Sequence, residues 1–333
     1  MELGSISLWG DDLEAFRKEI RTAEDLGFTL ITVGDSPAGW HELYTSLTVA
    51  ALETTSATLA PMVTIPISRH PVVAASAMTS LYDLAGGRVA FALGTGGSAV
   101  TGMGREMATQ DEAREYLLTL RRLFNGEPAT WQGRTIPALR FPRPVPLYYS
   151  ASGPKALKLA GEVADGVVLS VGSSMEEVDH KLKAVREAAA AAGRDPAAVD
   201  IWAYSFISVR ETRDAAVEDV SGFLPTIGAY GLRPKWAFET VPTQFKDKVR
   251  ELQQRYDTSE HVVVGGVNDR LVRELGLTDY LAGLRTISGT AAHASAALQG
   301  LAERGVSRFM CALPGNADPI GTMNRVNAAY KGG

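Results

Sequence analysis

The stretch from Thr58 to Gly104 limits what this chain can fold into more than any other. It reads strand, helix, strand, and both strands empty into polar, glycine-bearing loops at their C-terminal ends. Thr58 to Thr64 is an apolar strand that breaks at Ile65-Pro66. Arg69-His70-Pro71 opens a helix, with Pro71 at the first helical position, where its missing N–H leaves nothing unsatisfied. Val73, Ala77, Leu81 and Leu84 recur at helical steps and predict its buried stripe. Gly86-Gly87 ends it. Val89 to Leu93 is a second buried strand, opening into Gly94-Thr95-Gly96-Gly97-Ser98.

The same unit repeats along the chain. Leu3 to Leu8 is a strand, Asp11 or Asp12 caps a helix with Leu13, Phe16, Ile20 and Ala23 on one face, and Leu30 to Val33 is the next strand. The loop from Gly34 to His41 leads into a helix over 42–53. A helix over 109–124 precedes a proline-rich insertion, 125–146, with a hairpin around Trp131-Gln132-Gly133-Arg134. Strands at 147–150, 166–170, 201–209 and 308–313 follow, separated by helices over 155–164 and up to Gly193, and by a helix from Thr290 to Arg304. A helix over 318–330 closes the chain, and 223–279 carries no clear period, as expected of helices packed over one end of a fold.

About eight strands alternating with helices imply right-handed crossovers and a parallel sheet. With 333 residues, the expectation is an α/β fold: one (β/α)8 TIM barrel over residues 1–333, with insertions near 125–146 and 223–279. An open doubly wound sheet is the alternative. Barrel sites form at the C-terminal strand ends, so the loops to watch are 34–42, 64–70, 94–107, 151–155, 170–174 and 313–317.

Composition excludes several partners. The net charge of -5 argues against nucleic acid. No run approaches the roughly 18 apolar residues of a membrane span. Cys311 is the lone cysteine and the start MELGSISLWGDDLE has no basic, apolar leader, so a soluble cytoplasmic protein is expected. The five histidines lack metal-ligand spacing, so no metal site is expected.

The candidate residues each carry two readings. The glycine loop after Leu93 fails the dinucleotide fingerprint, because Ala99 stands where its last glycine belongs. It is either a tight turn or a place where backbone approaches a ligand. Ser152-Gly153-Pro154 with Lys155 is either an ordinary helix start or an anion site built on free N–H groups. Asp35 is either an Asx-type turn residue or a carboxylate at the mouth, and Trp40 either a stacking wall or a packing residue. His70 reads as a helix-start residue rather than a base.

Together these pieces resemble the luciferase-like monooxygenase superfamily, especially its branch that uses the deazaflavin coenzyme F-420. The matching residues are Gly34-Asp35-Ser36 with Trp40, Val63-Thr64-Ile65-Pro66 with Arg69-His70-Pro71, Gly86-Gly87-Arg88, and Gly94-Thr95-Gly96 with Ser98-Ala99-Val100. Ala151-Ser152-Gly153-Pro154-Lys155, Ala164-Asp165-Gly166, Ile287-Ser288-Gly289-Thr290 and Gly305-Val306 continue the pattern. The nearest likeness is to the bacterial relatives of methylenetetrahydromethanopterin reductase.

The resemblance implies a cofactor laid across the barrel mouth against a cis peptide at Met62–Val63. Asp35 would lie by the ring's hydrogen-bonding edge, with Ser36 and Trp40 lining the ring and substrate space as catalytic residues. Met62, Val63, Thr64, Thr95, Gly96 and Ala151 would contact the cofactor. Ser152, Gly153, Pro154 and Lys155, with Ser170 on the next strand end, would hold its phosphate. Three positions depart from the family. Ser36 replaces the histidine of sugar-phosphate dehydrogenases, Gly97 stands where an acid is usual, and Ser173 stands where a substrate-phosphate lysine is.

The function expected is hydride transfer between coenzyme F-420 and a small organic substrate. The alternatives are an FMN-dependent monooxygenase and a non-catalytic flavin-binding protein. Family members often pair, so a homodimer is expected.

Overall fold

The computed structural model describes residues 1–260, 263–313 and 318–332. His261 and residues 314–317 of the last loop singled out above lie outside the described residues. The strands are β1 Glu2–Ser7, β2 Leu30–Val33, β3 Thr58–Pro61, β4 Phe91–Leu93, β5 Ala129–Trp131, β6 Arg134–Ile136, β7 Leu147–Ala151, β8 Gly166–Ser170, β9 Asp200–Val209, β10 Thr286–Gly289 and β11 Arg308–Ala312. The first helices are α1 Leu13–Asp25, α2 Leu43–Glu53, α3 Pro71–Leu84, α4 Ser98–Gly102, α5 Gln110–Phe124, α6 Pro154–Val163 and α7 Met175–Ala191.

The main sheet runs β3-β2-β1-β11-β9-β8-β7-β4, with β10 beside the second half of β9. Its registered pairs, such as Gly4↔Leu30 and Tyr148↔Gly166, are parallel. The two ends meet through the bridges Leu59↔Val89 and Thr64↔Leu93. Eight strands therefore close into a (β/α)8 barrel, and the open-sheet alternative is excluded.

By contacts the chain divides into two compact units. The first, residues 1–169, 180–203 and 305–310, holds the ends of β2, β3, β4 and β7, while Ser170 at the end of β8 falls in the second. Its buried strand residues include Ile31, Leu59, Phe91, Leu93 and Tyr149. The second, residues 170–179, 204–304 and 311–333, contains the stretch 223–279. That stretch is helical, and Leu224, Val249, Leu252, Val272 and Leu281 form an apolar cluster of their own there.

Local signals act as expected at most boundaries. Asp12 caps α1 by accepting from the Ala15 N–H at 2.9 Å. His70 is the N-cap of α3, and Pro71 opens that helix. Gly86 and Gly87 follow with φ of 61° and 88°. Gln132 and Gly133, at φ 49° and 73°, make the two-residue turn between β5 and β6.

The predicted stripe of α3 holds at Leu81 and fails at Val73 and Leu84. Val73 is 56% exposed and Leu84 47% exposed, while Pro71, Ala74, Ala75, Met78 and Leu81 are buried. The helix lies against α2 and α5, and its buried face mixes Ala74 and Ala75, which let it sit close, with Met78 and Leu81. Leu13 on α1 is likewise exposed, while Phe16, Ile20 and Ala23 are buried as expected.

The approach to β3 hangs on one carboxylate. Glu24, at the end of α1, accepts the backbone N–H groups of Thr55, Ser56 and Ala57 at 2.9, 2.8 and 2.8 Å. Burial alone would raise its pKa, but these amides outweigh burial and hold it at about 2 against an ordinary 4.5. A depressed acid stabilises the fold above its unfolded pKa and loses that contribution as pH falls through its folded one. Wild type is therefore expected to exceed Glu24→Gln in unfolding free energy by about 1–3 kcal/mol at neutral pH, after allowance for solvent screening. Urea melts should show that gap closing between pH 4.5 and 2. A gap that ignores pH would contradict the assignment.

Candidate functional site

The loop leaving β2 folds back at once. The Ser36 carbonyl accepts the N–H groups of Gly39 at 2.9 Å and Trp40 at 3.0 Å. Ser36 is half-buried and Trp40 is 41% exposed, so Trp40 is no packing residue. Asp35 points inward, with its side chain 1% exposed. Its side-chain bonds cross to the loop after β3. Its Oδ2 accepts Thr64 Oγ1 at 2.6 Å, Arg69 Nη1 at 2.7 Å and Ser68 Oγ at 3.3 Å.

The chain beyond β3 carries a cis peptide at Met62–Val63. The Met62 N–H still bonds the Val33 carbonyl at 2.7 Å, and pairing moves to β4 at Thr64. There the Thr64 N–H meets the Ala92 carbonyl at 3.1 Å, and the Gly94 N–H meets the Thr64 carbonyl at 2.9 Å. A Cβ at Gly94 would stand 2.8 Å from Val63 Cγ2, so this glycine is demanded by the kinked strand beside it. Met62 and Val63 are both half-buried. Gly96 has φ 111°, the left-handed side that favours glycine, and turns the chain into α4. The Thr95 carbonyl accepts the Ala108 N–H at 2.9 Å, closing the loop.

Sequence reading missed the hub of this cluster. Arg69 bonds Asp35 with Nη1 and Glu42 Oε1 with Nη2 at 2.6 Å. Its guanidinium lies 5.0 Å from the Tyr44 ring centroid, and its carbonyl accepts the Tyr116 hydroxyl at 3.1 Å. Trp131, on the hairpin, meets Tyr116 edge-on at 5.5 Å and His70 at 6.4 Å. The insertion thus buttresses the residues flanking Arg69. Burial opposes charge on Arg69, but Asp35 and Glu42 outweigh it and raise its pKa. Burial likewise opposes charge on Glu42, yet the Thr45 N–H and Arg69 hold its pKa down. The Tyr44 hydroxyl is buried without a hydrogen-bond partner, and burial pushes its pKa far up.

Ala151 ends β7 and is buried. Gly153 caps α6 without a side-chain hydrogen bond, and Pro154 takes the first turn. Ser152 and Lys155 are exposed beside it. That leaves first-turn N–H groups with no side-chain cap, the arrangement an anion can use. Ser170 is the last residue of β8. His70 accepts the Val72 N–H through Nδ1 at 3.3 Å, a capping role and not that of a base.

The sequence profile described as luciferase-like monooxygenase matches residues 1–308. The chain belongs to this family. Among family relatives, it is 34% identical over 204 residues to the 5,10-methylenetetrahydromethanopterin reductase of Methanolobus tindarius, covering 59% of this chain and 61% of that one. It is 32% identical over 216 residues to the coenzyme F-420-dependent hydroxymycolic acid dehydrogenase of Mycobacterium tuberculosis, covering 59% of each. The match therefore spans about three-fifths of these relatives. The solved coenzyme F-420-dependent tetrahydromethanopterin reductase of Methanopyrus kandleri superposes with a TM-score of 0.80 at 22% identity, over 99% of this chain and 98% of that one. Monooxygenase RslO1 from Streptomyces bottropensis reaches 0.64 at 21%, over 99% and 97%. At those identities the two structures speak for the shared barrel.

Thr64 and Tyr44 should respond oppositely to loss of a hydroxyl. Thr64→Val strips a donor from a buried carboxylate and is expected to lower unfolding free energy by about 1–3 kcal/mol. Tyr44→Phe removes an unpartnered hydroxyl and should be neutral or stabilising. Denaturant melts of both check this, and equal losses would contradict it.

Proposed function

We propose that this protein is an oxidoreductase that binds coenzyme F-420 and transfers hydride between it and a small organic substrate. The observation that carries the reading is the exit of β3, where half-buried Met62 and Val63 are backed by the glycine at 94 and followed by Thr64, which bonds the Asp35 carboxylate. That surface suits one face and one hydrogen-bonding edge of a flat heterocycle. The uncapped start of α6, with Ser152 and Lys155, suits the phosphate. When bound, the deazaflavin supplies a ring carbon that gives or accepts hydride.

The chain's own residues bind and orient. Asp35 would accept a ring N–H of the bound cofactor, and Thr64 and Arg69 keep its carboxylate in place. Trp40 and Ser36 border the substrate space. Neither Ser36 nor Gly97 offers a side-chain acid or base of the right strength, which leaves room for solvent or the substrate's own acid to supply the proton. The name of the hydroxymycolic acid dehydrogenase supports F-420 over FMN, while the family's description as luciferase-like monooxygenase keeps the FMN-dependent reading as the second.

Titration with each cofactor tests the choice. Binding of F-420 is expected, weakened about tenfold or more in Lys155→Glu, equivalent to about 1.4 kcal/mol. FMN binding without F-420 binding would reverse it, and an F-420 complex that turns over no acceptor would favour a non-catalytic binder.

The protein is further proposed to act in the cytoplasm as a homodimer. No helix among the described residues is long and apolar enough to cross a membrane. On the adjoining helices α2 and α3, Leu52 is 68% exposed, alongside Val73 and Leu84. A second copy would cover these exposed apolar side chains. Leu52→Glu with Val73→Glu should give monomers by sedimentation without unfolding, and an unchanged mass would reject the proposed face.

A further inference from the structure

We infer that Arg69 is a positioning residue that acts on the ligand through Asp35. With Thr64 and Ser68 it occupies Oδ2, leaving Oδ1 as the oxygen that accepts from the ligand. The inference rests on the reading of Asp35 as a cofactor contact.

Among the described residues, each hydrogen bond to Asp35 arrives at Oδ2. A carboxylate so buried needs a paired charge, and Arg69 supplies it. The planar guanidinium spans Asp35 and Glu42 with separate nitrogens, a reach that a lysine ammonium lacks. Arg69 is itself located from several sides. Tyr116 on α5 bonds its carbonyl, Tyr44 on α2 lies against its guanidinium, and α3 begins two residues later. Glu42 is fixed in turn by the Thr45 N–H at 2.8 Å. The place of the guanidinium is thus set by its surroundings, and the carboxylate's place is set by the guanidinium. Without Arg69 the carboxylate keeps only the hydroxyls of Thr64 and Ser68 and loses its countercharge, so its place is less firmly held, and ligand binding suffers before any chemical step does.

A double-mutant cycle on cofactor affinity tests this, using fluorescence titration with F-420 on the wild type, Arg69→Met, Asp35→Asn and the double variant. Each single change is expected to weaken binding about tenfold or more. The double variant should bind within about twofold of Asp35→Asn, because Arg69 has nothing to act on once that carboxylate is gone. Arg69→Lys should lose less than Arg69→Met, and should raise KM with kcat kept. Hydrogen exchange on the cofactor-free proteins should quicken in 34–42 and 64–70 for Arg69→Met and stay as in wild type elsewhere in the first unit. Should Arg69→Met fail to fold, Arg69→Lys carries the cycle and the exchange comparison. Additive losses, wild-type affinity in Arg69→Met, or unchanged exchange in both loops would overturn the inference and leave the proposed function standing. A wild type that binds neither F-420 nor FMN would overturn both.

Discussion

Three donors converging on one buried carboxylate oxygen hold this end of the barrel together. A charged side chain inside a protein must be met by charge and hydrogen bonds, or the fold loses several kcal/mol. Asp35 meets that demand with groups from a single neighbouring loop: Thr64, Ser68 and Arg69. The loops after β2 and β3 are consequently one physical object. Thr64 extends it to β4, through the Ala92 carbonyl and the Gly94 N–H. The side chain that meets Asp35 therefore belongs to the residue whose backbone restores pairing after the cis bond.

Support reaches the cluster from outside the barrel as well. The β5–β6 hairpin interrupts the strand–helix rhythm, yet its Trp131 sits against Tyr116 and His70. Thr119 of α5 bonds the Thr130 carbonyl at 3.0 Å and fastens the hairpin to the helix. The insertion is a brace for residues that border Arg69. The helices of 223–279 contrast with it, since they build an apolar cluster within their own unit.

Much of this architecture could be read from local chemistry. Strand positions, Pro71 at a helix start, the glycines after α3 and the Gln132-Gly133 turn follow from short-range sterics and hydrogen bonding, and the structure keeps them. The α3 stripe, kept at Leu81, failed at Val73 and Leu84 for an equally physical reason. Hydrophobicity favours Val73 and Leu84, but close packing against α2 and α5 selects Ala74 and Ala75. Small residues give a weak apolar signal and a strong geometric one. The Asp35–Arg69 pair was out of reach because 34 residues separate its members. Periodicity shows which face of an element is buried, and says nothing about which distant side chain a carboxylate will find. The family resemblance carried Asp35, the cis bond and the α6 start and included Arg69 in its pattern, while the bonds that tie Arg69 to Asp35, Glu42 and Tyr116 emerged only from coordinates.

The shared oxygen of Asp35 also bears on how such a barrel could be re-tooled. Rim loops are commonly treated as interchangeable cassettes, each swapped without regard to the next. Here a transplanted 34–42 segment would arrive without the arginine that neutralises it, and a transplanted 64–70 segment would bring a cation with no counterion. New specificities at this rim should therefore be recruited by exchanging both segments together, and recombination breakpoints between them should be selected against.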